Sequence, residues 1–464
     1  MSEEAHQLVY LVVLDRHKQV LVNRCGASES LPTVEIPRFT RLAHSVTDVA
    51  RDKYGIDLFL ILSARVEGEG RTGALTAICR FQNDSLDAPA SFNWVTPEQA
   101  RAQLSIEDRQ VLVEGLHEFE SYDSGERPSS FGRYRGLDEL RDWYTSQLST
   151  LGLREVSFKQ WNGDPWFALF RIGVEPIGEA TPETPAALWF KAVGEPNVRE
   201  FAITQLLTAQ CPWWFSKVVA TKPEVNGWLA EEVNGHELDV EPDGRPWALT
   251  ARILAKVQTV FTNCEDKLLD LGCADWRIPR ILESIDPFFE SMIEVAARQP
   301  SSPPAMLSRA ELRDIAQGCR DLCHQVEDVD IPYSIAHGDF SPHNVIVKNG
   351  WPILIDWAEA YVAFPFISWE FFWNRTIKDH PSHAEWRERM HRNYAYRSWT
   401  SLLGRSRVDA GLRLSPAVAV LIHALQGQAN PANQDTSPML DKVNRSLLRR
   451  LQRELELLQP VGVL

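Results

Sequence analysis

A chain of 464 residues, 44% hydrophobic and 24% charged, has the composition of a folded protein and is too long for one ordinary core, so two or three domains are expected. Its 48 basic and 63 acidic residues leave a formal charge of −15 with no Lys/Arg block to reverse it locally, which argues against nucleic acid or an anionic membrane as partner. The opening MSEEAHQLVYLVVLD has acids where a secretory signal has bases, and no stretch approaches a membrane span. Seven cysteines, at 25, 79, 211, 264, 273, 319 and 323, form no disulfide framework. Cys319 and Cys323 share a helix face and read as buried thiols, since a metal site needs more ligands. A cytoplasmic protein is expected.

In chain order, Gln7–Leu14 and Gln19–Val22 read as strands joined by a polar turn, and Phe39–Tyr54 as a helix stopped by Gly55. Asp57–Val66 and Ala74–Gln82 resume strand patterns. Trp94-Val95 then runs into the capped helix start Thr96-Pro97-Glu98-Gln99. This strand order, the helix ending Tyr54-Gly55-Ile56 and the Trp94–Glu98 segment together resemble a Nudix domain over roughly residues 5–120. The likeness is one of shape, because the helix lacks the glutamates that hold metal in that family. Asp52 and Lys53 stand where the paired glutamates belong, Asp48 where the arginine belongs, and Val49 where a further glutamate belongs. Asp48 and Asp52, four apart, are either a substitute metal pair or a solvated acidic face, and the second reading is favoured. A degenerate Nudix-like α/β domain is therefore expected over residues 1–122.

The stretch Asp123–Gly136, rich in Gly, Ser and charge, reads as a linker (123–136). A helix is expected over Leu137–Leu151, then a hairpin of Glu155–Trp161 and Trp166–Ile172 around Asn162-Gly163-Asp164. A glycine turn of this kind can cover nucleotide phosphates, although with one glycine an ordinary hairpin turn explains it equally. Ala186–Val193, AALWFKAV, is a strand with Lys191 in its apolar interior, a costly placement unless a negative group meets it. Glu200, nine residues on in an expected helix Val198–Thr208, is the natural partner; the competing reading is a lysine snorkelling from a strand edge. Gly227–Val233 is a further strand. Beyond about Pro246 the pattern is helical, over Trp247–Leu271, Pro279–Arg298, Arg309–Val326, Trp369–Ile377, His383–Leu403, Pro416–Gln426 and Ser437–Leu458.

One stretch interrupts the helices. In Ile335–Glu370, Asp339 is followed by Asn344 and then Asp356. Val345–Val347 and Ile353–Ile355 flank Asn349-Gly350, a two-residue hairpin turn, so pairing brings Asn344 and Asp356 to the hairpin's open end, with Asp339 on the loop before it. Singly these residues read as a turn aspartate, a cap and a strand-end acid. In this order they can hold Mg²⁺ and a proton acceptor beside a phosphate.

The order strand-lysine, helix-glutamate, connector, His337-Gly338-Asp339 with Asn344, hairpin, Ile355-Asp356-Trp357 resembles the aminoglycoside phosphotransferase and choline kinase superfamily over roughly residues 137–430. The resemblance implies an α+β, two-lobed protein-kinase-like fold with a small β-rich N-lobe (137–240) and a large helical C-lobe (241–464). It implies Asp339 as catalytic base, Asn344 and Asp356 as Mg²⁺ ligands, Lys191 and Glu200 at the ATP phosphates, and Asn162-Gly163 as the covering turn. His337 reads as a structural loop residue. Two positions depart from the family's pattern: His343, where a small residue is common, and Ser368, where many relatives have an aspartate bracing the catalytic loop. The helical lobe's aromatics, among them Trp276, Phe288, Phe289, Trp369, Phe372 and Trp373, read as core. Glu359 and Glu370 are either acceptor contacts or surface acids. The expected function is ATP- and Mg²⁺-dependent phosphorylation of a small hydroxylated molecule: an aminoglycoside-like compound, amino alcohol, amino acid or sugar. A non-catalytic ATP-binding sensor and a Nudix-type nucleoside-diphosphate hydrolase are the alternatives.

Overall fold

The computed structural model describes residues 6–25, 28–38, 40–68, 71–83, 87–179, 181, 184–300, 304–429 and 438–459. Two units divide the chain, Met1–Phe201 with Lys217–Glu232, and Ala202–Ser216 with Val233–Leu464.

The first unit holds two sheets. Strands β1 (His6–Leu14), β2 (Val20–Cys25), β3 (Ser28–Ser30) and β4 (Thr33–Pro37) precede helix α1 (Leu42–Tyr54). Strands β5 (Leu58–Gly68), β6 (Arg71–Phe81) and β7 (Phe92–Val95), then helices α2 (Pro97–Gln103) and α3 (Ile106–Asp123), complete the first layer. The strands form one sheet in the order β3-β2-β1-β6-β5, with β4 added on β1 and β7 on β2. Period-2 patterning places the two faces. In β1, Val9, Leu11 and Val13 pack with Val46 and Ala50 of α1. The alternate Val12 and Leu14 pack with Leu112, Leu116 and Phe119 of α3. Gly55 ends α1 in the left-handed conformation (φ +69°), and Thr96 with Gln99 forms the capping box anticipated for α2.

Helix α4 (Gly136–Thr150) leads into β8 (Leu153–Gly163), β9 (Phe167–Pro176) and β10 (Ala187–Val193), after which α5 (Arg199–Gln210) begins. Strands β11 (Val218–Lys222) and β12 (Gly227–Glu231) complete an antiparallel sheet, β11-β12-β10-β9-β8. The expected linker, 123–136, has neither helix nor strand between its two end residues, which belong to α3 and α4, yet it is not a loose tether. Phe131 and Tyr134 are buried in one continuous core with Phe119 on one side and Phe170 and Phe190 on the other. Each such aromatic contributes about 2–3 kcal/mol by leaving water. The buried Arg80 guanidinium of β6 spans the same junction. It donates to both carboxylate oxygens of Asp138 on α4, at 2.9 and 3.0 Å, and to the carbonyl of Tyr134 at 2.8 Å.

In the second unit, β13 (His236–Glu237) is followed by α6 (Gly244–Val260), α7 (Glu265–Asp270), β14 (Ala274–Trp276), α8 (Ile278–Ala297) and α9 (Arg309–Val329). Strands β15 (Ser334–Ala336), β16 (Val345–Lys348), β17 (Trp351–Leu354) and β18 (Tyr361–Ala363) carry the chain to α10 (Phe366–Asp379). Helices α11 (Arg387–His391), α12 (Thr400–Leu403), α13 (Arg405–Ala429) and α14 (Pro438–Leu458) end it. The helix expected over Trp247–Leu271 is broken at Val260, and Asn263 (φ +58°) carries the left-handed turn that restarts the chain. The helix expected over His383–Leu403 begins at Arg387 and contains a π-helical segment, Arg392–Trp399. Ser437, the expected start of the last helix, lies outside the described residues. The expectation that no stretch approaches a membrane span needs correction. Arg405–Gly427 is long and apolar enough by length and composition, with mean hydropathy 1.4; 67% of that window is buried inside the protein, as in a core helix. The α+β architecture, β-rich first and helical afterwards, is as anticipated.

Candidate active site

In the first unit, Lys191 lies mid-strand in β10, between Leu169 of β9 and Trp228 of β12. Its ammonium meets Glu200 Oε1 at 2.5 Å, with the Lys191 side chain 14% and the Glu200 side chain 2% exposed. The rings of Phe167 and Trp228 flank it at 5.6 and 6.0 Å. A strand interior and the first turn of α5 thus supply the carboxylate that makes the buried cation tolerable. Glu200 fixes the position of a three-donor ammonium that can also address an anion.

Asn162 and Gly163 sit at the end of β8, where close packing accounts for the glycine. A Cβ on Gly163 would fall 2.1 Å from the Gln160 amide nitrogen and 3.2 Å from the carbonyl of Leu60. The buried Gln160 side chain is itself committed: it accepts from Leu60 N–H and donates to Leu60 C=O, both at 2.8 Å. The Asn162 amide lies between the Trp161 carbonyl, 2.8 Å, and the Arg41 guanidinium, 3.2 Å. The tight turn follows them, with Asp164 N–H donating to Phe167 C=O. Asp48, half of the proposed substitute metal pair, has Lys159 at 3.1 Å and His44 at 2.9 Å. It joins α1 to β8, while Asp52 is exposed.

In the second unit, strands β16 and β17 pair from Val345↔Leu354 to Lys348↔Trp351, and Asn349 and Gly350 turn with φ of +53° and +77°. The ladder extends one step further, Ile355 N–H donating to Asn344 C=O at 3.0 Å. This register puts Asn344 and Asp356 at the same end. The Asn344 amide nitrogen donates to the Asp339 backbone carbonyl at 2.7 Å and to its Oδ2 at 3.2 Å. The amide oxygen of Asn344 therefore faces away from Asp339, while Asp339 and Asp356 present exposed carboxylates. Asp356 adopts φ +63°, a left-handed conformation costing about 1 kcal/mol in an L-residue, and strain of this kind concentrates at functional sites.

Buried groups brace this loop. His337 Nε2 meets the carbonyl of Ile355 at 3.0 Å, and its backbone N–H donates to the buried Ser368 Oγ at 3.2 Å. The serine at the departing position thus reaches the loop. Gly338 is required by close approach, since a Cβ there would lie 2.4 Å from the carbonyl of Glu359. Phe340 packs on Phe372 at 5.0 Å, and Phe288, Phe289, Trp369, Phe372 and Trp373 belong to the second unit's core, with Trp276 half-buried against it. Glu370 is not a surface acid. It accepts from Ser415 Oγ at 2.7 Å, and burial pushes its carboxyl up to about 7.

Strand β13, which carried no readable signal, adds a third strand to the hairpin through His236↔Val347 and Glu237↔Ile346. It delivers Glu237 to His343, Nδ1 to Oε2 at 2.7 Å; Asp239, just beyond, lies 3.7 Å from Nε2 and 2.6 Å from His380 Nε2. His343 is thus held on the side of the 237–239 segment. Burial raises the Cys323 thiol to about 12 and drives that of Cys319 higher, as suits packed thiols. Among the described residues no three His, Cys, Asp or Glu side chains are grouped to hold a metal. The Asn344–Asp356 pair, one amide oxygen and one exposed carboxylate, is a hard-oxygen set of the kind Mg²⁺ accepts with water and phosphate completing its shell.

Comparison with known proteins bears on residues 196–404, which match the phosphotransferase enzyme family. Among solved structures, a choline/ethanolamine kinase family protein from Mesorhizobium loti is 14% identical, covering 69% of this chain and 96% of its own, at a TM-score of 0.42. A choline kinase from Streptococcus pneumoniae is 15% identical over 68% of this chain and 99% of its own, TM-score 0.42. A Plasmodium vivax ethanolamine kinase is 13% identical over 74% and 94%, TM-score 0.45. A search of curated proteins finds no match.

Proposed function

From a chain whose residues 196–404 match the phosphotransferase enzyme family, we propose an ATP- and Mg²⁺-dependent kinase that moves the γ-phosphoryl group to a hydroxyl of a small molecule. The observation that carries this reading is the Asp339 loop. An exposed carboxylate is held by the Asn344 amide, beside a hairpin whose register returns Asp356 to the same end. In the proposed reaction Asp339 orients the acceptor hydroxyl and takes its proton as the oxygen attacks. Asn344 and Asp356 hold Mg²⁺, which would neutralise phosphate charge. Lys191, oriented by Glu200, is assigned to the ATP phosphates. The acceptor is a small molecule, not a polyanion, in keeping with the net charge of −15. Free cysteines at 79, 211, 264, 273, 319 and 323 accord with the reducing cytoplasm.

The Asn162-Gly163 turn favours the second reading, an ATP-binding sensor. Packing against Gln160 and Leu60 accounts for its glycine without a phosphate. The two readings separate on ADP formation from ATP and Mg²⁺ with a panel of aminoglycosides, amino alcohols, amino acids and sugars. Acceptor-dependent ADP release supports the kinase. Tight ATP binding with no turnover on any acceptor supports the sensor.

A further inference from the structure

We propose that a cleft in the second unit, between α6 and the segment 385–397, binds a small organic anion carrying several charges, a phosphate ester or a polycarboxylate. This inference goes beyond the phosphotransferase reading and does not depend on it. Arg245, Ala248, Leu249 and Arg252 line one wall, at the i, i+3, i+4, i+7 spacing of a single helical face. Arg389, Arg392 and Arg397 line the other.

The cleft is open to solvent and offers about 640 Å³, the size of a small-molecule site. Five guanidinium groups face two carboxylates there, Glu385 and Glu388, a local excess of three positive charges on a chain whose formal charge is −15. Two of the five are committed locally. Arg392 pairs with Glu388 at 2.7 Å, and Arg245 lies 3.5 Å from Asp243. Among the described residues Arg252, Arg389 and Arg397 have no ion pair, and all three are exposed, so their guanidinium groups are open to an anion from outside. Guanidinium forks match phosphate and carboxylate oxygens bidentately. The buried Ala248 and half-buried Leu249 supply an apolar patch beside them, which suits an organic ligand over a bare ion.

The walls are held in place before any ligand arrives. Trp247 donates from Nε1 to the carbonyl of Glu241 at 3.0 Å and packs edge-on against His383 at 4.8 Å. His383 stacks on Trp386 at 4.0 Å, and a Cβ on Gly244 would come within 3.0 Å of the Trp386 ring. The start of α6 is therefore locked to the turn that leads into Glu388 and Arg389, which lowers the ordering cost of binding. The far wall includes the π-helical segment Arg392–Trp399, a departure from α-helical winding that recurs at functional sites.

The test is isothermal titration of the full chain with pyrophosphate and, separately, citrate, in low-salt buffer without nucleotide. Three variants are compared with the wild type: Arg252→Gln/Arg397→Gln, Arg252→Lys/Arg397→Lys and Lys191→Met. The expected result is saturable binding of at least one probe with one site per chain. The glutamine pair weakens it about tenfold or more, the lysine pair weakens it less, and Lys191→Met leaves it unchanged. Preference for pyrophosphate assigns the site to a phosphorylated ligand, and preference for citrate to a polycarboxylate. No saturable binding of either probe overturns the proposal, as does binding lost in Lys191→Met and kept in the glutamine pair. Failure of every kinase assay leaves this result untouched.

Discussion

Replacing Gln160 by Leu keeps its bulk and removes the side-chain amide that closes the outer edge of β5. That strand ends its sheet, and its ladder to β6 is irregular between Leu60 and Leu62, so Leu60 turns its N–H and C=O toward β8. Gln160, 1% exposed, answers both at 2.8 Å from beside an irregularity of its own, between Gln160 and Asn162. The substitution strands two backbone groups in a dry junction. At about 1–3 kcal/mol each, less roughly 1 kcal/mol regained by the apolar side chain, the expected loss is about 1–5 kcal/mol. Urea denaturation followed by tryptophan fluorescence reads it as a lower midpoint at unchanged slope. Gly163→Ala, which drives a methyl against the same amide, is expected to destabilise in the same direction. A loss under about 0.5 kcal/mol in Gln160→Leu would refute the reasoning and reopen a nucleotide-covering role for the Asn162-Gly163 turn.

Two further outcomes follow from the second unit. The folded carboxyl of Glu370, at about 7 against an ordinary 4.5, holds its proton more tightly than the unfolded chain does. Its contribution is therefore present in full below the ordinary value and declines as pH rises through about 7, a displacement worth on the order of 3 kcal/mol. Melting temperatures across that range should accordingly fall less in Glu370→Gln than in the wild type; equal falls would contradict the assignment. His343→Ala removes the contacts to Glu237 and Asp239 from the residue before Asn344, and kcat should drop about tenfold with part of it restored in His343→Gln. An unchanged kcat in the alanine variant would show that the tether does not position the loop.

The candidate site was legible in the sequence where local chemistry dictates local form. Asn349-Gly350 specifies a two-residue turn, which fixes the register that returns Asp356 toward Asn344. An interior lysine demanded a carboxylate, and Glu200 is the carboxylate it meets. Contacts set by distant segments were not legible. No pattern announces that Glu237, 106 positions before His343, will meet it, or that Gly338 must yield to the backbone of Glu359. Gln160 looked like an ordinary strand residue, because its task belongs to a sheet edge 100 positions away. Composition misled in two places. The Gly- and Ser-rich stretch 123–136 reads as a linker, yet Phe131 and Tyr134 within it are buried. Glu370 reads as either an acceptor contact or a surface acid, yet its helix turns it inward to Ser415.

Asp339 is the proton acceptor in the proposed transfer, and the most direct test is the rate of ATP-dependent phosphoryl transfer to an accepted hydroxyl compound by wild type and Asp339→Asn. The amide keeps the shape and loses the basicity, so kcat should fall by about 10²–10⁴ while ATP binding stays near that of the wild type. Transfer at the wild-type rate by Asp339→Asn would contradict the account.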